Sequence, residues 1–189
     1  MTTRDETALL VRRAQQGDES AMGQLFDAYA PQVHSTLCHI IGPDGELDDL
    51  LQETLIKAFR SLKTLESPEA FAGWLRRIAI FTARSYLRSK ARRRWLRLVD
   101  APDPARDDAH EPRRLLRRTY ALLDRLPPDE RLAFTLRFIE EMSLPEVAEG
   151  CGVSLATAKR RLARARKRFD ALVQTDPVVA SWARGERRD

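Results

Sequence analysis

The sequence predicts an all-α protein in which a flexible acidic linker joins two small helical domains. Apolar residues recur at spacings of three and four along most of the chain, and no segment shows the alternation typical of a strand. One acidic, proline-rich stretch interrupts this pattern near the middle of the chain. A length of 189 residues, with 43% of them apolar, suits one domain or two small ones with real cores.

The N-terminal half predicts four helices. The first extends over about Asp5–Gln16, and Asp18 is placed to cap the second. Pro31 is expected to interrupt or kink this second helix, because proline has no backbone N–H to donate. The spacing predicts a long third helix over Leu47–Leu65, and a fourth helix begins after Ser67.

The middle of the chain predicts a linker. The segment from Val99 to Pro112 has three prolines and no helical stripe, and between Asp100 and Glu111 there are five acidic residues and one basic residue. Such a composition is typical of an extended interdomain connection. The predicted organisation is a first domain over 5–95, a linker over 96–113, a second domain over 114–170, and a tail over 171–189 that is expected to add a short helix.

The second domain contains a helix, a glycine turn and a second helix. Ser143 and Glu146 have the spacing of a capping box at the start of the first of these helices. Gly152 permits a left-handed turn, and Ser154 is placed to cap the helix that follows. This order is the helix-turn-helix pattern, in which the second helix lies in the major groove of DNA.

The second helix of this pair is strongly basic, with seven basic residues and no acidic residue between Ser154 and Phe169. Arginine and lysine donate both to phosphates and to guanine acceptors, so the pattern favours a DNA-reading helix over a merely solvated amphipathic one. One face predicts a buried stripe of Leu155, Ala158, Leu162, Ala165 and Phe169, and the other carries the candidate contacts Ser154, Thr157, Lys159, Arg160, Arg161 and Arg164.

The fourth helix is also basic, with nine basic residues and no acidic residue from Trp74 to Arg97. Aromatic rings among arginines suit single-stranded nucleic acid, because bases stack on the rings while guanidinium groups follow the backbone. The alternative for each aromatic residue is ordinary core packing. The residues concerned are Trp74, Phe81, Tyr86 and Trp95, interleaved with Arg76, Arg77, Arg84, Arg88 and Arg92.

Polar residues cluster at the start of the third helix, in the segment LDDLLQETLIKAF. Acidic residues there complement the helix dipole, which is the simplest explanation. Asp49 and Glu53 also share a face, as do Asp48 and Gln52, so this face could bind a basic protein surface.

Catalytic and cofactor chemistry find no support in the sequence. It contains no phosphate-binding glycine loop and no nucleophile elbow, so we expect neither an enzyme nor a cofactor. His34, Cys38 and His39 lie within reach of one another on a helix, but their apolar neighbours favour core packing over a metal site. The spacing of Cys38 and Cys151 favours two reduced thiols.

Targeting signals are absent from the pattern as well. No apolar run reaches the length of a membrane span, and the start MTTRDETALL lacks the character of a signal peptide. We therefore expect a cytoplasmic protein without membrane insertion.

Together these segments resemble the extracytoplasmic-function (ECF) sigma factors, the minimal two-domain class of bacterial sigma subunits. The resemblance extends from Leu10 to Arg168 and includes LVRRAQQGDESAMGQLFDAYAPQV, DDLLQETLIKAFRSL, AFAGWLRRIA and LDRLPPDERLAFTLRFIEEMSLPEVAEGCGVSLATAKRRLARAR. It implies a sigma-2-like helical bundle and a sigma-4-like helix-turn-helix domain. The implied function is to direct core RNA polymerase to specific promoters and to assist melting of the −10 element.

The resemblance also implies a role for each matching position. The partners it implies are core RNA polymerase, through its β′ clamp helices and β flap, promoter DNA, and an anti-sigma factor. The recognition helix would read the −35 duplex through the six candidates from Ser154 to Arg164. Residues implied in polymerase docking are Asp48, Asp49, Gln52, Glu53 and Lys57, and those implied in binding the −10 single strand are Phe71, Arg76, Arg77, Phe81, Arg84 and Arg88.

The chain departs from the family pattern in the −10 helix. Ile80-Phe81 stands where the family often has Arg-Asn, and Ser85 replaces a frequent Asp. Two other classes of function stay open at this point. One is a helix-turn-helix repressor or activator that acts without core polymerase, and the other is a helical adaptor that binds only protein.

Overall fold

The computed structural model describes residues 3–96 and 111–185, and every regular element in them is helical. The all-α prediction is therefore confirmed. Short 3₁₀ turns, Leu62–Thr64 and Pro68–Ala70, connect the third and fourth helices. The α-helices are α1 Arg4–Gln15, α2 Glu19–Ile41, α3 Leu47–Ser61, α4 Phe71–Leu96, α5 Glu111–Leu123, α6 Pro128–Phe138, α7 Leu144–Cys151, α8 Leu155–Val173 and α9 Pro177–Ala183.

The chain divides into two compact units by its backbone contacts. The first comprises Met1–Ile40 with Asp44–Ala83, and the second comprises Ile41–Pro43 with Arg84–Asp189. The domain boundaries at 95 and 114 stay a prediction, and most of the predicted linker over 96–113 lies outside the described residues.

In the first unit, α1 holds the connection between α3 and α4. Gln15 donates its side-chain amide to the carbonyl oxygens of Leu62 and Leu65, at 3.0 and 2.8 Å. Arg12 donates to Glu69 at 2.6 Å in the second 3₁₀ turn. These bonds tie the turn residues between the two helices to α1, so they restrain the direction in which the chain enters α4.

The start of α2 follows the prediction, but its middle does not. Asp18 accepts a hydrogen bond from the amide of Ala21 at 3.0 Å, which is an N-cap. This bond, together with the side chain of Arg13, lowers the pKa of the Asp18 carboxyl. The sequence predicts an interruption or a kink at Pro31; the interruption is wrong, because α2 continues through it, and the kink stays a prediction. Pro31 and Asp27, one turn earlier, are both exposed, so the carbonyl left without a donor can bind water.

α3 ends four residues earlier than predicted, at Ser61 instead of Leu65. The hydroxyl of Ser61 donates to the carbonyl oxygen of Lys57 at 2.7 Å, and that of Thr64 donates to the carbonyl oxygen of Ser61 at 2.7 Å. Side-chain hydroxyls of this kind compete with backbone amides for the last carbonyls of a helix. The chain consequently tightens into a 3₁₀ turn.

In the second unit, α7 and α8 form the predicted helix-turn-helix. The amide of Ser143 donates to Glu146 at 2.8 Å, and the amide of Thr157 donates to the Ser154 hydroxyl at 3.3 Å. Gly152 has φ of 60°, the left-handed conformation that the turn requires. Ala158, Leu162 and Ala165 are buried as predicted, while Leu155, the first residue of α8, is exposed.

The predicted short helix in the tail is present as α9. Asp176 caps it by accepting hydrogen bonds from the amides of Val178 and Val179, at 3.0 and 3.2 Å. Val179 packs in a buried cluster with Leu122 of α5 and Val173 of α8. The tail therefore belongs to the core of the second unit.

Candidate nucleic-acid and polymerase interfaces

The N-terminal half of α8 presents a connected group of polar side chains. The Ser154 hydroxyl donates to the Thr157 hydroxyl at 3.0 Å, and Arg160 donates to the same hydroxyl oxygen at 3.1 Å. Lys159 and Arg160 are exposed. This end of α8 combines a helix N-terminus with two cations, and both favour the binding of phosphate.

The arginines further along α8 are held by acidic residues in the first turn of α6. Arg161 has only 16% of its side chain exposed, and its guanidinium group lies 2.9 Å from the carboxylate of Asp129. Arg164 and Arg168 both pair with Glu130, at 3.2 and 2.8 Å. Sequence reasoning missed Glu130, because its pairing depends on how α6 and α8 pack.

Burial keeps the thiol of Cys151 in its protonated form. It is fully buried at the end of α7, and burial raises the pKa of its thiol because the thiolate would lose its hydration. Cys38 is half-buried, and neither cysteine forms a disulfide. That both thiols are reduced stays a prediction.

Phe81 presents an exposed aromatic ring on α4, with 58% of its surface accessible, while its neighbour Ile80 is buried. The ammonium group of Lys57 lies 5.7 Å from the centre of the Phe81 ring, within the range of a cation–π contact. A groove of about 320 Å³ opens beside this ring. It is lined by Lys57, Ser61, Trp74, Arg77, Ile78 and Phe81.

Phe71 occupies a different place from Phe81. It is only 2% exposed and packs edge to face on Tyr29, with ring centres 5.0 Å apart. Trp74, whose ring centre is 5.9 Å from that of Phe71, is half-buried and reaches the groove. Phe71 therefore supports the aromatic side of the core and leaves its neighbour Trp74 at the surface.

The candidate arginines of α4 differ in their surroundings. Arg77 is exposed beside the groove and Arg76 is half-buried. Arg84 is half-buried, and its Nε has no hydrogen-bond partner among the described residues. Arg88 is exposed and donates to the carboxylate of Asp129 at 2.9 and 3.1 Å. The side chain of Trp95 lies outside those that the structure describes.

The outer face of α3 carries the candidate docking residues. Asp48, Asp49, Gln52 and Glu53 are all exposed, and Glu53 pairs with Lys57 at 2.6 Å. Ile56 lies on the same face and is 50% exposed. Sequence reasoning missed Ile56, although its position four residues after Gln52 places it on this face.

Within residues 3–96 and 111–185, no group of three or more His, Cys, Asp or Glu side chains could hold a metal ion. In the same part of the chain, no helix is long and apolar enough to cross a membrane.

Comparison with known proteins assigns the helices that carry these surfaces to one family. The sigma-70 region 2 model matches residues 25–93, and the sigma-70, region 4 model matches residues 116–169. The ECF RNA polymerase sigma-E factor of Escherichia coli (strain K12) is 33% identical over 179 residues, covering 88% of this chain and 93% of that relative. This chain belongs to the ECF sigma factors.

Further relatives agree with this assignment. The ECF sigma-E factor of Haemophilus influenzae is 31% identical over 182 residues, covering 87% of this chain and 94% of that relative. Among solved structures, CnrH in complex with the cytosolic domain of CnrY matches with a TM-score of 0.61 and 26% identity, covering 90% of this chain and 98% of that chain. The sigma factor RpoE of Bartonella quintana, solved with the anti-sigma factor NepR, shares the fold, with a TM-score of 0.58, 24% identity, and coverage of 82% and 97%.

The candidate surfaces lie within the segments matched by the sigma-70 region 2 and region 4 models. α3 and most of α4 lie within the region 2 match, and α7 with most of α8 lies within the region 4 match. α9 follows the region 4 match. A repressor acting without core polymerase is therefore not favoured.

Proposed function

We propose that this sigma factor directs bacterial core RNA polymerase to specific promoters through three surfaces: α8 for the −35 duplex, α4 for the −10 single strand, and α3 for polymerase. The observation that carries the proposal is the stretch from Ser154 to Phe169, which has seven basic residues and no acidic residue and forms most of the second helix of a helix-turn-helix. Polymerase supplies the chemistry of RNA synthesis, and this chain supplies recognition.

In the −35 surface, the exposure of each side chain separates residues that can contact DNA from residues that hold the helix in place. Lys159, Arg160 and Arg164 are exposed and can reach phosphates or base edges, and Ser154 and Thr157 lie at the N-terminus of α8. Arg161 is committed to Asp129 and largely buried, so we assign it to holding α8 on α6. Its separation from solvent supports this role.

In the −10 surface, the groove beside Phe81 supplies what a single strand requires. Phe81 and Trp74 offer aromatic faces, and Lys57 and Arg77 offer cations for the phosphates. Stacking of one base on such a ring contributes about 1–3 kcal/mol and is tolerant of sequence. Phe71 contributes indirectly, because it is buried behind Trp74.

In the polymerase surface, an apolar residue lies among the acidic ones. Ile56 adds exposed hydrophobic area beside Gln52 and Glu53. Asp48 and Asp49 give the surface a negative charge that suits a basic partner. We propose that the β′ clamp helices bind here and that the sigma-4-like domain contacts the β flap.

We also propose an anti-sigma factor as a regulatory partner. Its support is that CnrH was solved with the cytosolic domain of CnrY, and that the Bartonella quintana sigma factor was solved with NepR. Because core polymerase and promoter DNA are cytoplasmic in bacteria, we propose that the chain acts in the cytoplasm.

Reconstituted transcription tests the proposed function. Purified chain is combined with bacterial core RNA polymerase and a pool of duplexes randomised over the two promoter elements, and the transcribed members are sequenced. We expect enrichment of two sequence blocks separated by a constant spacer, and only when chain and core are both present. Sequence-specific binding by the chain alone, without transcripts in the presence of core, would contradict the proposal.

A further inference from the structure

We infer that Glu130 is a positioning residue for recognition of the −35 element. It orients Arg164 and Arg168, and it does not contact DNA itself. This inference rests on the proposed function of α8. Glu130 lies in the first turn of α6 and is 6% exposed, so its carboxylate is enclosed by the helix-turn-helix unit. A buried carboxylate requires charged partners, and the two arginines provide them.

The two oxygens of the carboxylate are divided between the two arginines. Oε1 of Glu130 lies 3.2 Å from Nε of Arg164, and Oε2 accepts a hydrogen bond from Nη1 of Arg168 at 2.8 Å. The arginine side chains remain 60% and 52% exposed. One end of each guanidinium group is therefore anchored to protein while the side chain extends into solvent.

The anchoring atom of Arg164 decides what the side chain can still do. The guanidinium nitrogen of Arg164 nearest to Glu130 is Nε, on the side edge of the group, so this contact leaves the end edge, formed by the two terminal nitrogens, available. Those two nitrogens form the fork that pairs with O6 and N7 of guanine or with two phosphate oxygens. A fork held in place before binding loses less rotamer freedom when it meets DNA.

Glu130 should therefore have opposite effects on specific and non-specific binding. Its negative charge opposes the general attraction between α8 and phosphates, while its geometry favours one orientation of Arg164. Removing the charge should strengthen binding to any DNA and weaken discrimination among sequences. A residue with only a structural role would change both in the same direction.

The test uses Glu130→Gln in the reconstituted holoenzyme, with the pool randomised at −35 and an unrelated 40-base-pair duplex as probes. The length of the unrelated duplex is about four helical turns, long enough to span a typical binding site. Discrimination between the preferred and a mismatched −35 block should fall about tenfold, since one bidentate contact accounts for a difference of roughly that order. Affinity for the unrelated duplex should rise, with a salt dependence steeper by about one unit of log–log slope.

Two further variants separate the effect of the charge of Glu130 from the effect of its side-chain length. Glu130→Asp keeps the charge but shortens the side chain, so discrimination should fall while the salt slope stays that of the unmodified protein. In an Arg164→Ala background, Glu130→Gln should change discrimination much less, because the arginine whose fork it orients toward a base is absent. Asp170→Asn is the matched control: it removes a carboxylate 3.9 Å from Arg166 on α8, and discrimination should not change.

Unchanged discrimination in Glu130→Gln would overturn the inference. So would a fall in specific and non-specific binding together with a lower unfolding midpoint by circular dichroism, which would indicate a structural role alone. A result against the proposed function would look different, because the unmodified holoenzyme would then show no −35 preference.

Discussion

At the scale of single residues, Phe81 and its neighbour Ile80 show how one step along a helix separates core from surface. Ile80 is enclosed in the first unit, while the ring of Phe81 stands beside the groove under the ammonium group of Lys57. Covering an exposed aromatic ring with a partner removes its apolar surface from water, which favours binding. In a promoter complex, a base of the −10 strand is the partner we propose.

Phe81→Ala should weaken binding of the −10 single strand by about 1–3 kcal/mol, because the stacking surface is lost. Phe81→Trp should retain most of that affinity. The measurement is fluorescence anisotropy of holoenzyme with a labelled −10 strand taken from the selected promoters. Stability should change by less than about 0.5 kcal/mol, since the ring is exposed.

Phe138→Ala provides a matched control for this variant. Phe138 is also an exposed phenylalanine, but it lies at the end of α6 and packs on Phe134. Its removal should leave strand binding unchanged. Equal losses for Phe81→Ala and Phe138→Ala would argue against a stacking role for Phe81.

At the scale of elements, α9 illustrates how a short helix beyond a recognised domain completes the packing of that domain. Asp176 caps α9 and also lies 3.5 Å from the guanidinium group of Arg118 on α5. Val179 and Ala180 cover apolar surface of α5 and α8. A seven-residue helix is not stable by itself, so its packing and cap must hold it in place.

Val179→Ala should lower the free energy of unfolding of the second unit by about 1–3 kcal/mol, because buried methyl groups are replaced by a cavity. Trp182→Ala is the control on the same helix. The side chain of Trp182 is 66% exposed, so its removal should change stability by less than about 0.5 kcal/mol. Urea unfolding followed by circular dichroism measures both, and equal effects would contradict the packing assigned to α9.

At the scale of the whole molecule, charge is sorted among surfaces despite a formal net charge of only +5. Basic residues collect on α4 and α8, and acidic residues collect on the outer face of α3. Opposite charges on different surfaces allow one small chain to bind DNA and a basic protein surface at once. In the proposed function, this sorting allows one subunit to join polymerase to a promoter.

The double variant Asp49→Ala with Glu53→Ala should weaken binding to core polymerase by at least about tenfold, or about 1.4 kcal/mol. Lost charge complementarity is the reason, so the difference should shrink at high salt. Biolayer interferometry with immobilised core enzyme measures it. The unfolding midpoint should fall only slightly, because both side chains are exposed and the changes remove only a helix-dipole contribution of about 0.3–1 kcal/mol and the exposed Glu53–Lys57 pair.

A charge-matched pair tests whether position or total charge matters. Asp27→Ala with Glu66→Ala removes the same charge from exposed sites away from the outer face of α3. This pair should bind core enzyme like the unmodified chain. An equal loss in both double variants would show that only net charge counts, and the docking assignment would fail.

The sequence by itself determined the helices, the helix-turn-helix and the family, because these depend on local rules. Ser143, Gly152 and Ser154 act through bonds to residues three or four positions away, so their roles can be read from spacing. The motifs quoted along the chain were equally sufficient for the ECF resemblance, which the relatives confirm.

Only the tertiary structure decided which members of each predicted surface face outward. Arg161 and Arg164 look alike in sequence, yet one is largely buried against Asp129 and the other extends into solvent from Glu130. Phe71 and Phe81 differ in the same way. The physical reason is that burial and ion pairing depend on partners distant in sequence, and a helical period does not reveal which helix will cover which face.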